Sequence, residues 1–371
     1  MDTAIQSAAP KKERITSIDA LRAFTLLGIL IVHSVARFGL YDPPQSVLDS
    51  IILKLNELFL ENKCNTIFAA LFGISFYLIL RNPNNSSIKF VWRCFLLMII
   101  GLFNKLFFTY DVLMLYGFWG MVLVIFRNLK PKWLIFSCIC ILIVRPYLAE
   151  FNLGDKLFGT SVGIRYSNDK SFYEVLSYYP NAVLDYLHVM LNVAAIGFLA
   201  SFLFGYWIAK IGFIEHLKER LSKRYLFLIW VIYFVLFVIN YLQYKFDSQF
   251  VLMKTLTNYS GSVAYASALL YLYYHSESCK KVFSFFEPYG RLGLTNYSMS
   301  GILGVIFINE FGLGLYKYPL MVIILFFIVF FLFQAVFSYY WLRYFTYGPM
   351  EYVWRVATER KKIPFRRHQK D

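Results

Sequence analysis

Ten apolar stretches recur along the chain, at residues 19–40, 64–80, 91–108, 111–127, 133–149, 186–209, 225–244, 256–275, 292–309 and 318–342. Each is close to the length at which a helix crosses a bilayer, about 20 residues. The pattern predicts an all-α, polytopic integral membrane protein with about ten transmembrane helices. The eighth stretch is the most diluted, by Ser260, Gly261, Ser262, Tyr265 and Ser267. Small and hydroxyl residues suit a helix packed among other helices.

The polar segments between them are uneven. Asp42-Pro-Pro through Glu61 has room for a short helix. Glu150–Asp185 is the longest connection, long enough to cover a site. Ile214 to Arg224 is amphipathic and reads as a segment lying on the membrane surface. Leu71-Phe-Gly and Leu203-Phe-Gly echo one another, but three residues define no repeat. The spans carry no Gly/Pro interruption of the kind that marks broken transporter helices.

Composition agrees with a membrane chain. Hydrophobic residues make up 59%, mean hydropathy is +0.55, and only 16% of residues are charged. The 39 Phe and 29 Tyr suit lipid-facing and interfacial positions. A net charge of +15 would suggest nucleic acid in a soluble protein. Here 25 of the 37 Lys and Arg fall on one side if the N-terminus is inside, which is the bias of cytoplasmic loops. Both termini are then cytoplasmic and nucleic acid is not an expected partner. The expected organisation is a tail over 1–17, a helical bundle over 18–345 and a basic tail over 346–371. The run Arg360-Lys-Lys-Ile-Pro-Phe-Arg-Arg faces anionic lipid in this reading. The first stretch is too long for a cleaved signal peptide and lacks the small-residue cleavage pattern. Cys64, Cys94, Cys138, Cys140 and Cys279 fit no zinc spacing and read as small apolar fillers. No metal site, Walker loop, GxGxxG or HExxH is present.

The chemistry-bearing residues start with a pair in the first stretch. Arg22 and His33 are eleven apart, which places them about 20° from one another around a helix and roughly 16.5 Å apart along it. Ionisable groups in a span lean functional. Acyl transfer to a hydroxyl needs a base, and neutral imidazole suits that role near pH 7. It also needs oxyanion donors, for which Asn104, Tyr116, Thr295 and Asn296 are candidates. Arg22 and Arg93, at inner span ends, have the fork that grips phosphate, as in a coenzyme A thioester. Asp111 marks the side from which an acceptor would enter. Each has a structural reading as well. His33 can bond a neighbouring helix, Arg22 can snorkel, and Asp111 can cap a helix start. Thr295-Asn296 can be interhelical glue, Arg291 can follow the inside-positive rule, and Glu351 with Arg355 can form an i,i+4 pair.

Five segments carry a family resemblance. Ile18-Asp-Ala-Leu-Arg-Ala-Phe-Thr-Leu-Leu-Gly-Ile-Leu, Phe68-Ala-Ala-Leu-Phe-Gly-Ile-Ser-Phe, Asp111-Val-Leu-Met-Leu-Tyr-Gly, Gly290-Arg-Leu-Gly-Leu-Thr-Asn-Tyr-Ser and Tyr347-Gly-Pro-Met-Glu-Tyr-Val-Trp-Arg together resemble the YeiB-like bacterial membrane proteins, the domain of unknown function 418. The resemblance spans nearly the whole chain. It implies a bacterial plasma-membrane protein and a distant relation to envelope acyltransferases, whose first helix carries Arg, ten residues, then His. The nearer family often has Asn at the place of His33 and His at that of Asn104, so the two residue types are exchanged here. The leading expectation is acyl transfer from acyl-coenzyme A to an envelope glycan or small-molecule acceptor. His33, Asn104 and Asp111 are then catalytic, and Arg22, Arg93, Tyr116, Thr295, Asn296 and Arg291 bind substrate. The alternative is a metabolite exporter with His33 as proton relay, and a third reading is a non-catalytic membrane scaffold.

Overall fold

The computed structural model describes residues 15–39, 46–82, 85–105, 107, 111–150, 190, 195–245 and 251–367. Most of the long connection after Glu150, the N-terminal tail through Arg14 and the last four residues lie outside the described residues. The helices in chain order are α1 (Thr16–Val35), α2 (Val47–Phe59), α3 (Lys63–Leu80), α4 (Ser87–Lys105), α5 (Leu113–Leu123), α6 (Pro131–Glu150), α7 (Ile196–Lys210), α8 (Leu217–Arg220), α9 (Lys223–Lys245), α10 (Val251–His275), α11 (Glu277–Arg291), α12 (Gly293–Ile308), α13 (Leu320–Tyr344) and α14 (Pro349–Glu359). Among the described residues there is no β-strand, only an isolated bridge between Phe345 and Arg366.

Six helical stretches are long and apolar enough to cross a membrane: Thr16–Val35, Val47–Leu80, Ser87–Lys105, Pro131–Leu148, Lys223–Gln243 and Leu320–Tyr344. A seventh arises if α7 and Ile214–Arg220, bent by 61°, are one span. The expected spans over 111–127 and 292–309 are helical but short, at Leu113–Phe126 and Gly293–Ile308. Pro146 lies inside α6, and the bend after α7 turns at Gly212, whose φ is +70°. The short helix expected before Glu61 is α2, whose Ser46 caps the Asp49 N–H at 3.0 Å. Asp49 in turn accepts from Leu320 N at 3.2 Å and so holds the start of α13.

Cross-helix hydrogen bonds define two ends. At the near end, where α1 starts, Thr16 and Ser17 meet Tyr273 and Tyr274, Lys89 pairs with Glu359, and Tyr206 reaches the Arg127 carbonyl. At the far end Lys63 donates to Asn258 and Lys254 to Glu57. The 214–224 segment is at the near end and is amphipathic as expected. Ile214, Leu217 and Leu221 are buried while Glu215 and Lys218 are exposed.

α1 lies inside the bundle against α3, α11, α12 and α13. α9 lies at its rim and turns Phe227, Ile232 and Phe234 outward, as a lipid-facing helix does. The tightest crossing is α3 on α7, and its two Gly residues are the echoing pair of the sequence. A Cβ at Gly73 would stand 2.0 Å from the Phe202 carbonyl oxygen, and one at Gly205 would stand 1.8 Å from that of Ala70. Small residues let helix backbones approach this closely. Phe72 then stacks on Phe202 at 4.6 Å and Phe76 meets Tyr206 edge-on at 5.0 Å.

Candidate functional site

The near ends of α1 and α4, the later turns of α3 from Phe68 to Ile79, the junction of α11 with α12, and α14 enclose a cavity of about 400 Å³. Its deeper wall is apolar and aromatic, from Phe68, Phe72, Phe76, Phe90, Leu97 and Leu113. Three guanidinium side chains, of Arg22, Arg93 and Arg291, line the rest. Tyr116, buried at 2% exposure, also lines the cavity and is ringed by Phe68, Phe72, Phe198 and Phe202 at 5.2–5.7 Å.

The chain places these groups by local rules. Arg22 is one turn past Asp19 on α1 and bonds it at 2.8 Å, which holds the guanidinium toward the α11–α12 junction, where the Gly290 carbonyl lies 3.4 Å away. Gly290 and Gly293 make that junction possible. A Cβ at Gly290 would strike the Asp19 carbonyl at 1.9 Å, and one at Gly293 would press the Arg22 side chain at 3.2 Å. Arg93 stacks on Trp354 at 4.6 Å, and its buried Nε finds no hydrogen-bond partner among the described residues. Arg291, the last residue of α11, donates to the Thr346 carbonyl at 3.1 Å.

α14 closes the near end. Its Trp354 donates to the Arg93 carbonyl at 2.9 Å, Trp92 donates to the Ala357 carbonyl at 3.1 Å, and Lys89 meets Glu359 at 2.5 Å. The expected Glu351–Arg355 pair gives way to a different arrangement. Glu351 accepts from the backbone N–H of Leu294 at 2.8 Å and of Thr295 at 3.1 Å, and from the Thr295 hydroxyl. Its carboxyl oxygens cap α12, placed where the exposed N–H groups of a helix start need acceptors. Arg355 stacks on Tyr347 instead, at 4.7 Å. Burial pushes the Glu351 carboxyl above its ordinary range, against the lowering effect of the Thr295 and Leu294 hydrogen bonds.

The other expected site residues fall elsewhere. His33 sits in the last turn of α1, near the far end rather than deep in the span, with Phe38 at 6.0 Å, and does not line the arginine cavity. Asn104 donates to Ser298 at 2.9 Å and to Asp111 at 3.3 Å. Asp111 caps the start of α5 through Leu113 N at 2.9 Å, the structural role foreseen for it. This trio is linked to the cavity by Tyr297, which lines it and accepts from Val112 N at 3.1 Å. Thr295 belongs to the Glu351 cap. Asn296 is interhelical glue, donating to the Tyr289 carbonyl at 3.0 Å and to Ser338 at 2.9 Å. Glu351, Trp354 and Tyr297 were missed as site residues by sequence reasoning, although all three lie in the segments that carry the family resemblance. Among the described residues no group of three His, Cys, Asp or Glu is placed to hold a metal ion.

Comparison with known proteins supports the DUF418 part of that resemblance. Residues 208–361 match the model of a family described as a protein of unknown function, DUF418. The matched region holds α11, α12 and α14, and with them Arg291, Glu351 and Trp354. An uncharacterized 39.9 kDa protein of the amylase 3′ region of Bacillus acidopullulyticus is 28% identical, over 95% of this chain and 96% of its own. The uncharacterized protein YxaH of Bacillus subtilis (strain 168) is 26% identical, over 93% of this chain and 94% of its own. No solved structure gives a significant match.

Proposed function

We propose that this chain is a multi-pass acyltransferase of a bacterial plasma membrane that takes its donor, an acyl-coenzyme A, into the arginine cavity from the cytoplasm. One observation carries the proposal: Arg22, Arg93 and Arg291 converge on a cavity whose remaining wall is mostly aromatic and aliphatic, with one carboxyl, that of Glu351, among the described residues. A ligand with a multiply charged head and a less polar arm suits that gradient. The guanidinium forks hold phosphate oxygens in pairs, and the apolar wall takes the arm and acyl group. We read the near end as cytoplasmic from the distribution of Lys and Arg, with both termini inside and about ten spans in all.

In this reading the acceptor's hydroxyl oxygen attacks the thioester carbonyl carbon. The oxygen–carbon bond forms, the carbon–sulfur bond breaks, the hydroxyl proton passes to a base and the sulfur leaves to become the free thiol. Among the described residues Glu351 is the only carboxyl group in the cavity wall, and its oxygens are committed to capping α12. The base therefore comes from beyond the wall, and we assign it to His33, further along α1 than Arg22. Tyr116 is the oxyanion donor in this scheme, while both amide hydrogens of Asn104 are given to Ser298 and Asp111. Export of a metabolite ranks second, since the cavity ends on buried Tyr116 and the Gly212 bend lies at the near end rather than at mid-depth. The test is release of free thiol from acetyl-coenzyme A by the purified chain in lipid. Thiol release that depends on Arg93 is expected. Absence of both hydrolysis and coenzyme A binding overturns the reading.

A further inference from the structure

A second cavity, of about 230 Å³, opens at the far end between the last turns of α6 and the first turns of α3, α7 and α10. Its character is opposite to that of the arginine cavity's apolar wall. Asn62, Asn65, Thr66, Ser201, Thr255 and Asn258 supply amides and hydroxyls, and no carboxylate lines it among the described residues. Two cations do, Arg145 and Lys254. Lys254 has an exposed partner in Glu57 at 2.9 Å. Arg145 has a buried Nε without a hydrogen-bond partner among the described residues, and its guanidinium lies against Gly197, where a Cβ would come within 3.1 Å. A cation held in place with donor capacity left over is set to receive an anion. Three helix starts, of α3, α7 and α10, add partial positive charge at the same place.

The rest of the wall is built rather than loose. Lys63 donates to Asn258 at 3.0 Å, and Tyr259 donates to the Gly197 carbonyl at 2.9 Å and meets the Ser201 hydroxyl at 3.0 Å. The cavity's floor adjoins the end of the arginine cavity. Tyr116, from the other side, points its hydroxyl at the Asn65 carbonyl at 3.4 Å, and Phe198, in the floor, packs on the Tyr116 ring at 5.5 Å. One layer of aromatic side chains thus separates two cavities that enter from opposite ends.

We propose that this far-end cavity is a second binding site, for a small polyhydroxylated anion such as a sugar or polyol bearing a phosphate or carboxylate. Hydroxyls of the ligand bond the Asn and Thr side chains, and its charge faces Arg145. The volume is below that of drug-sized sites, about 300–1,000 Å³, and suits one such unit. In the acyl-transfer reading, on which only the word acceptor rests, this is the acceptor's site.

Titration of the detergent-solubilised full chain tests this with sn-glycerol 3-phosphate, with glucuronate and with uncharged glycerol. Saturable binding of at least one charged probe is expected, and glycerol should bind far more weakly. Which charged probe binds tells phosphate from carboxylate. Arg145→Gln should weaken the charged probe by at least about tenfold, and Lys254→Gln, at an exposed pair, by a few-fold. Coenzyme A binding should be unchanged in both. No saturable binding of either charged probe to the wild type, or equal affinity in both variants, overturns the second site. Loss of the donor reading alone would appear as probe binding without coenzyme A binding.

Discussion

Adding one methyl group at Gly205 tests the packing that shapes the arginine cavity. The Cβ of Gly205→Ala would lie 1.8 Å from the Ala70 carbonyl oxygen, about 1.2 Å short of the 3.0 Å that real Cβ contacts respect. The obstacle is helix backbone on both sides, so no side chain can swing away, and α3 and α7 must part. Parting by 0.5–1 Å already forfeits a quarter to a half of each van der Waals contact across the seam. That seam includes the Phe72–Phe202 stack and the Phe76–Tyr206 contact. Overpacking of this kind costs typically 1–3 kcal/mol, and with no yielding atom the expected value is about 3 kcal/mol. Gly261→Ala is the control. Its nearest obstacles are the Tyr233 ring at 2.8 Å and the Lys63 side chain at 3.1 Å, both able to give way. Thermal unfolding in detergent should show a marked fall in Tm for Gly205→Ala and a much smaller one for Gly261→Ala. Because Phe72 also lines the arginine cavity, ligand affinity should fall with it. Wild-type Tm in Gly205→Ala would refute the close crossing.

Glu351→Ala should cost about 3 kcal/mol, since it strips the acceptor from two N–H groups at roughly 1–3 kcal/mol each, whereas Glu351→Gln keeps an acceptor and should cost much less; chemical denaturation that ranks Gln below Ala would contradict the cap. Burial raises the folded-state pKa of Glu351 above its ordinary 4.5, so its contribution is fully present below that value and is lost as pH rises through the higher folded pKa; the Tm of the wild type relative to Glu351→Gln should decline as pH rises from 4.5, and a rise would reverse the assignment. Single cysteines at Ser86 and Lys218 should be shielded from impermeant thiol reagents in intact cells while one at Leu313 is labelled, and the opposite pattern would move the arginine cavity to the outside. His33→Asn should keep its Tm and lose acyl transfer, because an amide cannot take the proton; full activity would remove His33 as base.

The helices were legible where apolar residues ran long, and all ten expected stretches overlap helices of the structure. The spans over 111–127 and 292–309 came out short because the helix of one starts only after the Asp111 cap and that of the other ends at Ile308, before Asn309. The Leu-Phe-Gly echo was visible but its meaning was not, since a three-residue match says nothing about which helices touch. Of the expected site, the three arginines and Tyr116 do meet, because inner span ends are a sequence property. His33 falls in the last turn of α1, because the helix ends at Val35 rather than near residue 40. Glu351 and Trp354 were hidden in a stretch read as tail, because only the fold turns α14 back against α4 and α12. The far-end cavity was illegible for the same reason: Arg145, Asn65 and Asn258 come from three helices far apart in the chain.

The central claim is that the arginine cavity holds the charged end of a coenzyme A thioester. Calorimetric titration of coenzyme A into the purified full chain, as wild type and as Arg93→Gln, tests it most directly. Arg93 has a buried Nε awaiting a partner and stacks on Trp354, so losing its fork should remove a desolvated charge contact worth about 2–5 kcal/mol. The account predicts saturable binding by the wild type and at least about tenfold weaker binding by Arg93→Gln. Absence of binding to the wild type, or the same affinity in both, would contradict it.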